Sequence, residues 1–442
     1  MYYNFDSKKI PSIQTVGGKA HSLIKLTNAG FNVPEGAVLT VEFFNGWLNE
    51  LRSLETFKTN ASNPEKFSEL ATALKKHAEG LSFNDEQIKV IESITNRFKD
   101  STMFAVRSSS PEEDLSGASF AGGYETILGV KPKNMKKAIK EAFISCLDER
   151  VFFYKHQNGF DTGLIRIAVI IQKQINSEVS GVAFSLNPLN NFYDEAVINA
   201  NTGLGESVVS GMVTPDEIVL DKVNEKIVDK KLGKKDKSIV LLKDGGTETV
   251  NAKNSNFAIT DDQAIELLKE LKKIEAFYNH PVDIEWAFSE NQLYILQSRP
   301  ITTYIPLPEE LQTKPEEDPI LYLDGSLTKQ GINVPISYMG CDILGRSQSI
   351  MMTRTFGKDC TKNLKVGLAG TSGGRMYLNA SSSLKMQGKK GVVNAWKMSD
   401  AGTAELIESL DVTKYTPKKT PEDIKGLKWG AIKMVWAQLS VF

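Results

Sequence analysis

The sequence predicts a protein that contains both α-helices and β-strands. Apolar residues recur at three- and four-residue spacing over Phe67–Leu74 and Asp85–Phe98, which is the periodicity of amphipathic helices. Ile165–Ile175 is almost continuously apolar and is typical of a buried central strand. Val282–Phe288 and Leu293–Gln297, which are separated by a short polar turn, predict a β-hairpin.

Further helical patterns and one break organise the rest of the chain. Residues 134–156 predict a single helix, and residues 262–278 predict another, because each segment has apolar residues on one helical face. Ile305–Pro319 is rich in proline and acidic residues and predicts a linker. We therefore expect one domain over 1–304 and the start of a second domain over 320–442.

The second region has two recognisable segments. Gly373–Asn379 has the pattern of a turn followed by a strand. Gly426–Phe442 predicts a helix that stops without a capping residue. We expect this second domain to be truncated and to continue beyond the chain.

Length, charge and cysteine content limit the class of protein. The chain has 442 residues and a formal net charge of −1, so a broad basic surface for nucleic acid is not expected. Neither a membrane-spanning apolar run nor a signal peptide is recognised. Cys146, Cys341 and Cys360 lack metal-site spacing and are typical of a reducing compartment. We expect a cytoplasmic protein without nucleic-acid or membrane partners.

The segment Phe104–Leu128 has the composition of a site for a polyanion. Arg107 offers a planar set of donors that suits phosphate oxygens. Ser116–Thr126 is small, hydroxylated and rich in glycine, so its backbone N–H groups are suited to phosphate as well. The same composition is also common in ordinary loops.

A second candidate segment is Val16–Thr40. Gly17 and Gly18 stand directly before Lys19 at a predicted helix start, and a lysine there can reach an anion docked on the helix N-terminus. The alternative is a solvated lysine at an ordinary turn.

The predicted hairpin in Pro281–Thr302 supplies candidate metal ligands. Asp283 and Glu285 are two residues apart and therefore point to one face of the first strand. Gln297 and Arg299 share a face of the second strand by the same spacing. If the two faces coincide, the carboxylates lie beside an amide and a guanidinium, which suits Mg²⁺ held against a nucleotide. The alternative is a charged, solvated hairpin face.

Motifs in these segments, taken in order, resemble the nucleotide-binding part of the phosphoenolpyruvate synthase, pyruvate phosphate dikinase and rifampin phosphotransferase family. They are GGKAHSL, VRSSSPEEDLSGASFAGGYET, SEVSGVAFSLNP, NTGLGESVVSGMVTPD, and DIEW followed by LQSRPIT. The resemblance implies an α+β ATP-grasp fold whose two subdomains, about 1–190 and 191–304, clamp ATP. A partial mixed α/β domain, in which Arg375–Asn379 resembles a short family segment, would follow.

The resemblance also implies an activity. Such proteins cleave Mg-ATP to AMP and pass the β-phosphate through a histidine on a swivelling domain to a small-molecule acceptor. By this resemblance Lys19, Arg107 and Arg299 contact phosphates, and Thr126 and the glycine loop containing Gly122 close over them. Glu285 and Gln297 would hold Mg²⁺, with Asp283 behind them.

The same resemblance suggests how the nucleoside would be held. Gln172 or Gln174 would lie at the adenine pocket together with strand backbone. Glu206 would lie near the ribose and phosphates, although from the residues alone it is equally suited to capping a short helix over Ser207–Gly211.

The carrier histidine of the family is not recognised in this chain. His21, His77, His156 and His280 all lie outside the Thr-Ser-His setting that the family uses. We therefore expect the histidine domain either to be missing from this sequence or to belong to another polypeptide. Three functions stay open at this stage: a synthase that uses pyruvate, an antibiotic-type phosphotransferase, and a catalytically silent ATP-binding module that regulates or scaffolds a partner.

Overall fold

A computed structural model describes residues 1–112, 114–115, 118–119, 125–189, 192–252, 255–302, 304, 307–315, 317–324, 335–397 and 400–427. The chain forms two compact units, Met1–Tyr304 and Ile305–Phe442. Gly122 and most of the helix predicted over Gly426–Phe442 lie outside the described residues.

The strands of the first unit are β1 (Tyr2–Asn4), β2 (Gly36–Leu39), β3 (Phe104–Ser109), β4 (Asp114–Leu115), β5 (Ala118–Ser119), β6 (Thr126–Val130), β7 (Ala168–Lys173), β8 (Val179–Phe184), β9 (Glu195–Thr202), β10 (Asp216–Asp221), β11 (Lys226–Lys231), β12 (Lys237–Leu241), β13 (Thr247–Asn251), β14 (Val282–Ser289) and β15 (Gln292–Pro300). Its helices are α1 (Ile13–Asn28), α2 (Asn45–Ser53), α3 (Glu55–Asn60), α4 (Phe67–Glu79), α5 (Asp85–Thr95), α6 (Met135–Ser145), α7 (Glu149–Gln157), α8 (Glu206–Val209) and α9 (Asp261–Tyr278).

The first sheet is antiparallel, with strand order β1-β2-β7-β3-β6. One face packs against α2 and α4 to α7 in a large apolar core. The other face packs against α1, where Val16, Ala20 and Leu23 meet Ile170 of β7. Helices on both faces bury β7, which confirms the central strand predicted from its apolar sequence.

The second sheet is also antiparallel, with strand order β11-β10-β9-β8-β14-β15. Helix α9 covers one face, and its Leu267 and Leu271 belong to the same core as Ile284 and Trp286 of β14. The opposite face carries the polar residues of the hairpin. The change of sheet falls between Lys173 and Val179, which is earlier than the subdomain boundary expected near residue 190.

Most predicted elements of the first unit are confirmed, and one is wrong. The β14–β15 hairpin and α9 match their predicted segments closely. Residues 134–156 do not form one helix, because α6 ends at Ser145 and α7 begins at Glu149. Asp148 caps the second helix by accepting the Arg150 N–H, and it also pairs with Lys75 of α4 at 2.7 Å. These polar contacts start a new helix inside an uninterrupted apolar pattern.

The second unit contains β16 (Tyr322–Asp324), β17 (Ala369–Ser372), β18 (Arg375–Asn379), α10 (Tyr338–Phe356), α11 (Ala380–Lys397) and α12 (Ala401–Ser409). The strands form one antiparallel sheet in the order β16-β18-β17, and the turn and strand predicted over Gly373–Asn379 are confirmed. Leu311, in the segment expected to be a linker, is buried against Leu364 and Tyr377. Both units together form a mixed α/β protein. Within the described part of the chain, no helix combines the length and apolar character needed to cross a membrane.

Candidate functional site

The Gly17–Gly18–Lys19 turn is fixed against the end of β3. Helix α1 begins at Ile13, earlier than predicted, and is interrupted at Gly17, which adopts φ 77° and ψ 167°. A Cβ atom on Gly17 would overlap the backbone carbonyl of Ser109, so only glycine fits this close approach. Lys19 therefore stands at the start of the second, regular part of the helix.

Three consecutive serines of the β3 end hold this turn. The Ser109 hydroxyl donates to the Val16 carbonyl at 2.8 Å and accepts the Ala20 N–H at 3.2 Å. The Ser110 carbonyl accepts the Gly18 N–H at 3.2 Å. The buried Lys19 Nζ donates to the Ser108 carbonyl at 3.3 Å. These serines are a structural component that the sequence analysis did not assign, although their position directly after Arg107 was a visible signal.

Strand register brings the other predicted residues of the first sheet to the same face as α1. Arg107 lies opposite Ile170 on β7 and opposite Thr126 on β6. Gln172 is two residues beyond Ile170 and therefore points to that face too. The structure thus places Lys19, Arg107, Thr126 and Gln172 on one side of the first sheet.

The predicted coincidence of the two hairpin faces is confirmed. Asp283 lies opposite Arg299, and Glu285 lies opposite Gln297, so all of them project from one side of the second sheet. A β-bulge follows Glu285, so the strand twist increases locally at this end of the hairpin.

Arg107 connects the two sheets. Its Nη2 donates to the Glu285 Oε2 at 2.7 Å and to the Gln297 Oε1 at 2.5 Å, and its Nη1 donates to the Leu296 carbonyl at 3.0 Å. The Arg107 side chain is only 9% exposed and that of Glu285 is 19% exposed. A guanidinium of the first sheet is therefore bound by a carboxylate and an amide of the second.

The charges of the site perturb two carboxyl groups in opposite directions. Burial by itself would raise the pKa of Glu285, but Arg107, Arg299 and Lys19 outweigh it and hold the pKa below its ordinary value. For Glu206, partial burial and the nearby Glu285 carboxylate raise the pKa, against an opposing effect of Arg107. Glu206 is the first residue of α8, and the N-cap position belongs to Gly205, so the capping role considered for Glu206 is not observed.

Several buried polar atoms of the site have no hydrogen-bond partner among the described residues. They are Arg107 Nε, Gln172 Nε2 and Gln174 Oε1. A buried polar group without a partner costs free energy, so such groups commonly serve a ligand. The Gln172 Nε2 is a donor and the Gln174 Oε1 is an acceptor.

The oxygen atoms of Asp283, Glu285 and Gln297 are ligands of the kind that Mg²⁺ prefers. Within the described part of the chain, no group of three or more His, Cys, Asp or Glu side chains is arranged to hold a metal ion. This arrangement fits Mg²⁺ bound through one or two carboxylates together with substrate phosphates and water, rather than in a cage made by protein alone.

A long-range contact that the sequence analysis missed also links the sheets. The β12–β13 hairpin is anchored beside α8, because the Ile239 carbonyl accepts the Leu204 N–H at 2.8 Å. At its tip, the Gly246 N–H donates to the Gly129 carbonyl, just after Thr126, at 2.8 Å. The Gly245–Gly246 pair was the available signal, but it does not specify a partner.

Cationic side chains and oxygen ligands thus meet between the two sheets, and a nucleotide-binding class of site requires both kinds of group. The chain belongs to the family described as the pyruvate phosphate dikinase, AMP/ATP-binding domain, whose model matches residues 13–318.

Similar proteins include phosphoenolpyruvate synthases and rifampicin phosphotransferases. A probable phosphoenolpyruvate synthase of Methanocaldococcus jannaschii is 34% identical over 69% of this chain and 27% of its own length. A phosphoenolpyruvate synthase of Pyrococcus furiosus is 33% identical over 71% of this chain and 45% of its own length. A rifampicin phosphotransferase of Bacillus cereus is 35% identical over 66% of this chain and 35% of its own length. The chain therefore spans less than half of each of these relatives.

Proposed function

We propose that the first unit is an ATP-grasp domain that binds Mg-ATP for a dikinase-type phosphotransferase. The two sheets clamp the nucleotide and ATP is cleaved to AMP. The β-phosphate passes to a histidine on a separate swivelling domain, and the γ-phosphate is transferred to water and leaves as inorganic phosphate. The observation that carries this proposal is the Arg107 guanidinium, which extends from the first sheet to Glu285 and Gln297 of the second.

The cations of the site have distinct roles in this proposal. Phosphoryl transfer needs alignment and neutralisation of charge more than it needs covalent help from the protein. Lys19 and Arg107 bind phosphate oxygens from the first sheet, and Thr126 with the glycine loop that includes Gly122 covers them. Arg299 contacts the phosphates from the second sheet and stabilises the charge that develops during transfer.

The oxygen ligands and glutamines complete the proposed site. Glu285 and Gln297 would hold Mg²⁺ when the Arg107 guanidinium donates to phosphate instead of to them, and Asp283 would support them. The bound ion would neutralise phosphate charge. Gln172 and Gln174 contact the adenine, for which their buried and unpartnered atoms are available. Glu206 lies toward the ribose and phosphates, and its proximity to Glu285 is reflected in its raised pKa.

The final acceptor in this proposal is a small molecule. Relatives named phosphoenolpyruvate synthase and rifampicin phosphotransferase suggest pyruvate or an antibiotic-like hydroxyl. The carrier histidine is supplied by a separate domain in cis or in trans, and the reaction is cytoplasmic.

A product assay tests this function. The protein is incubated with Mg-ATP, a separately produced histidine domain and each acceptor, and the nucleotide and phosphorylated species are then identified. We expect AMP and a phosphohistidine, with neither product when this chain is omitted. Formation of ADP alone would contradict the dikinase chemistry. Binding of ATP without any cleavage would instead support the silent regulatory module.

A further inference from the structure

A cluster of largely buried, charged side chains lies beside the Gly17–Lys19 turn, and it has no role in the chemistry described above. Its centre is Glu112, whose side chain is 7% exposed. The Glu112 Oε2 lies 3.1 Å from the Nζ of Lys155, whose side chain is 4% exposed. Its Oε1 accepts the Nη2 and Nε of Arg166 at 2.6 and 3.0 Å. One carboxylate therefore binds two cations.

Arg166 connects this cluster to both flanks of the Gly17–Lys19 turn. Its Nη1 donates to the side-chain oxygen of Gln14, in the part of α1 that precedes the interruption at Gly17. On the other flank, Glu112 accepts the Ser110 hydroxyl at 3.2 Å. The Ser110 carbonyl in turn accepts the Gly18 N–H. The Arg166 guanidinium therefore connects the start of α1 to the segment that follows β3.

These side-chain contacts are important because regular secondary structure does not hold the Gly17–Lys19 turn. Gly17 has non-helical backbone angles, so the helical hydrogen-bond ladder is broken where Lys19 must be positioned. Side-chain contacts replace the ladder at this point. A planar guanidinium suits the task, because its donors have a fixed geometry and reach two acceptors at once.

We propose that Arg166, held by Glu112, is a positioning residue that sets the Gly17–Lys19 turn for phosphate binding. This inference rests on the proposed function, because the turn matters only if Lys19 binds nucleotide. Among the residues that the structure describes, the hydrogen bonds and ion pairs of the Arg166 side chain are with Gln14 and Glu112, neither of which is a predicted ligand residue. It acts through Gln14 on one side and through Glu112 and Ser110 on the other.

Arg166→Leu is the informative variant because the buried Glu112 carboxylate still has a cationic partner after the substitution. That partner is Lys155, so no buried charge is left unpaired. Arg52→Leu is the matched control. Arg52 donates to the carbonyl of Ile165, the residue next to Arg166, at 2.8 Å, but it makes none of the contacts that lead to the turn.

The first measurement is amide hydrogen exchange of Val16–Ala20 in the nucleotide-free protein. We expect at least tenfold faster exchange in Arg166→Leu than in the wild type or Arg52→Leu. The Gly18 N–H donates to Ser110, which the cluster contacts through Glu112, and the Ala20 N–H donates to the neighbouring Ser109. Arg166→Lys, which keeps the positive charge but loses the planar set of donors, should restore part of the protection against exchange. Equal exchange in the two leucine variants would overturn the inference.

The second measurement is the affinity for Mg-ATP by calorimetry. We expect Arg166→Leu to bind about tenfold more weakly than Arg52→Leu, which corresponds to about 1.4 kcal/mol. Equal affinities, with a wild type that binds, would overturn this inference and leave the proposed function intact. A wild type that does not bind Mg-ATP would refute the proposed function, and the inference with it.

Discussion

The two sheets of the first unit contribute opposite halves of the site by different structural means. The first sheet and helix α1, which packs on it, supply the cations Arg107 and Lys19, and serines at the end of β3 hold the irregular turn that positions Lys19. The second sheet supplies oxygen ligands, Glu285 and Gln297, through direct pairing of two regular strands. Along a strand, the backbone alone directs alternate side chains to one face. An interrupted helix instead needs contacts from other segments to position its side chains. We therefore expect the first half of the site to be more sensitive to backbone changes and the second to changes of charge.

The largest effect is expected from Gly17→Ala. The new Cβ would overlap the Ser109 carbonyl, and the backbone angles of Gly17 are accessible almost only to glycine. We expect a loss of about 3 kcal/mol in the free energy of unfolding. Gly30→Ala is the matched control, since Gly30 also has a positive φ, 87°, but a Cβ there meets nothing within 4 Å. That variant should lose only about 1–2 kcal/mol. Denaturant unfolding of both variants measures the difference, and equal losses would mean that the turn is not tightly held.

Arg107→Met tests the contact between the two halves. Removing the guanidinium leaves Glu285 and Gln297 without their partner from the first sheet, so we expect a loss of about 2 kcal/mol in stability. Affinity for Mg-ATP should fall by roughly ten- to a hundredfold, the value of a charge-assisted contact to phosphate. Thermal unfolding and calorimetry report the two effects separately. Arg52→Met, which loses a bond to a backbone carbonyl outside the site, should leave nucleotide affinity unchanged.

Glu285→Gln tests whether the second sheet supplies an oxygen ligand for Mg²⁺. The change removes a charged oxygen ligand with almost no change in volume, so productive ATP binding should need about tenfold more Mg²⁺. A Mg²⁺ titration of ATP binding and of phosphohistidine formation, with the histidine domain supplied in trans, measures this. Glu178→Gln is the control, because this exposed carboxylate accepts the Glu290 N–H at the far end of the same hairpin. An unchanged Mg²⁺ requirement in Glu285→Gln would assign the metal to other ligands.

The smallest effect is expected from Glu206→Gln, and it depends on pH. The pKa of Glu206 is raised in the folded protein by partial burial and by Glu285. The stability that this group contributes is thus present below its unfolded pKa, about 4.3, and is lost as pH rises through the folded value. At pH 7 the variant should therefore be more stable than the wild type. The gain should be only about 0.5 kcal/mol, because solvent still reaches the side chain and screens its charge. Melting temperatures at pH 7 and near pH 4 test this, and a gain that persists near pH 4 would exclude charge repulsion as its cause.

Local sequence patterns were enough to predict the regular elements and the half of the site that depends on them. Alternation placed Asp283 with Glu285, and Gln297 with Arg299, on common faces because side chains along a strand have a period of two. The apolar run through β7 and the periodicity of α9 also sufficed, since both patterns are local. The same local reasoning failed over residues 134–156, where Lys75 of a distant helix pairs with the Asp148 that caps α7.

How the two halves of the site meet depends on contacts between distant elements, and no local pattern predicts it. Nothing in the local pattern around Arg107 specifies that its guanidinium binds Glu285, which lies 178 residues further along the chain. The interruption of α1 at Gly17 likewise depends on the approach of Ser109. The charge cluster depends on Glu112, Lys155 and Arg166 coming together from three separate segments of the chain. Periodicity reports which face of an element is buried, whereas the partner of a buried charge is selected by packing between elements. The chemical groups of this site were therefore visible in the sequence, and their connections were set by the fold.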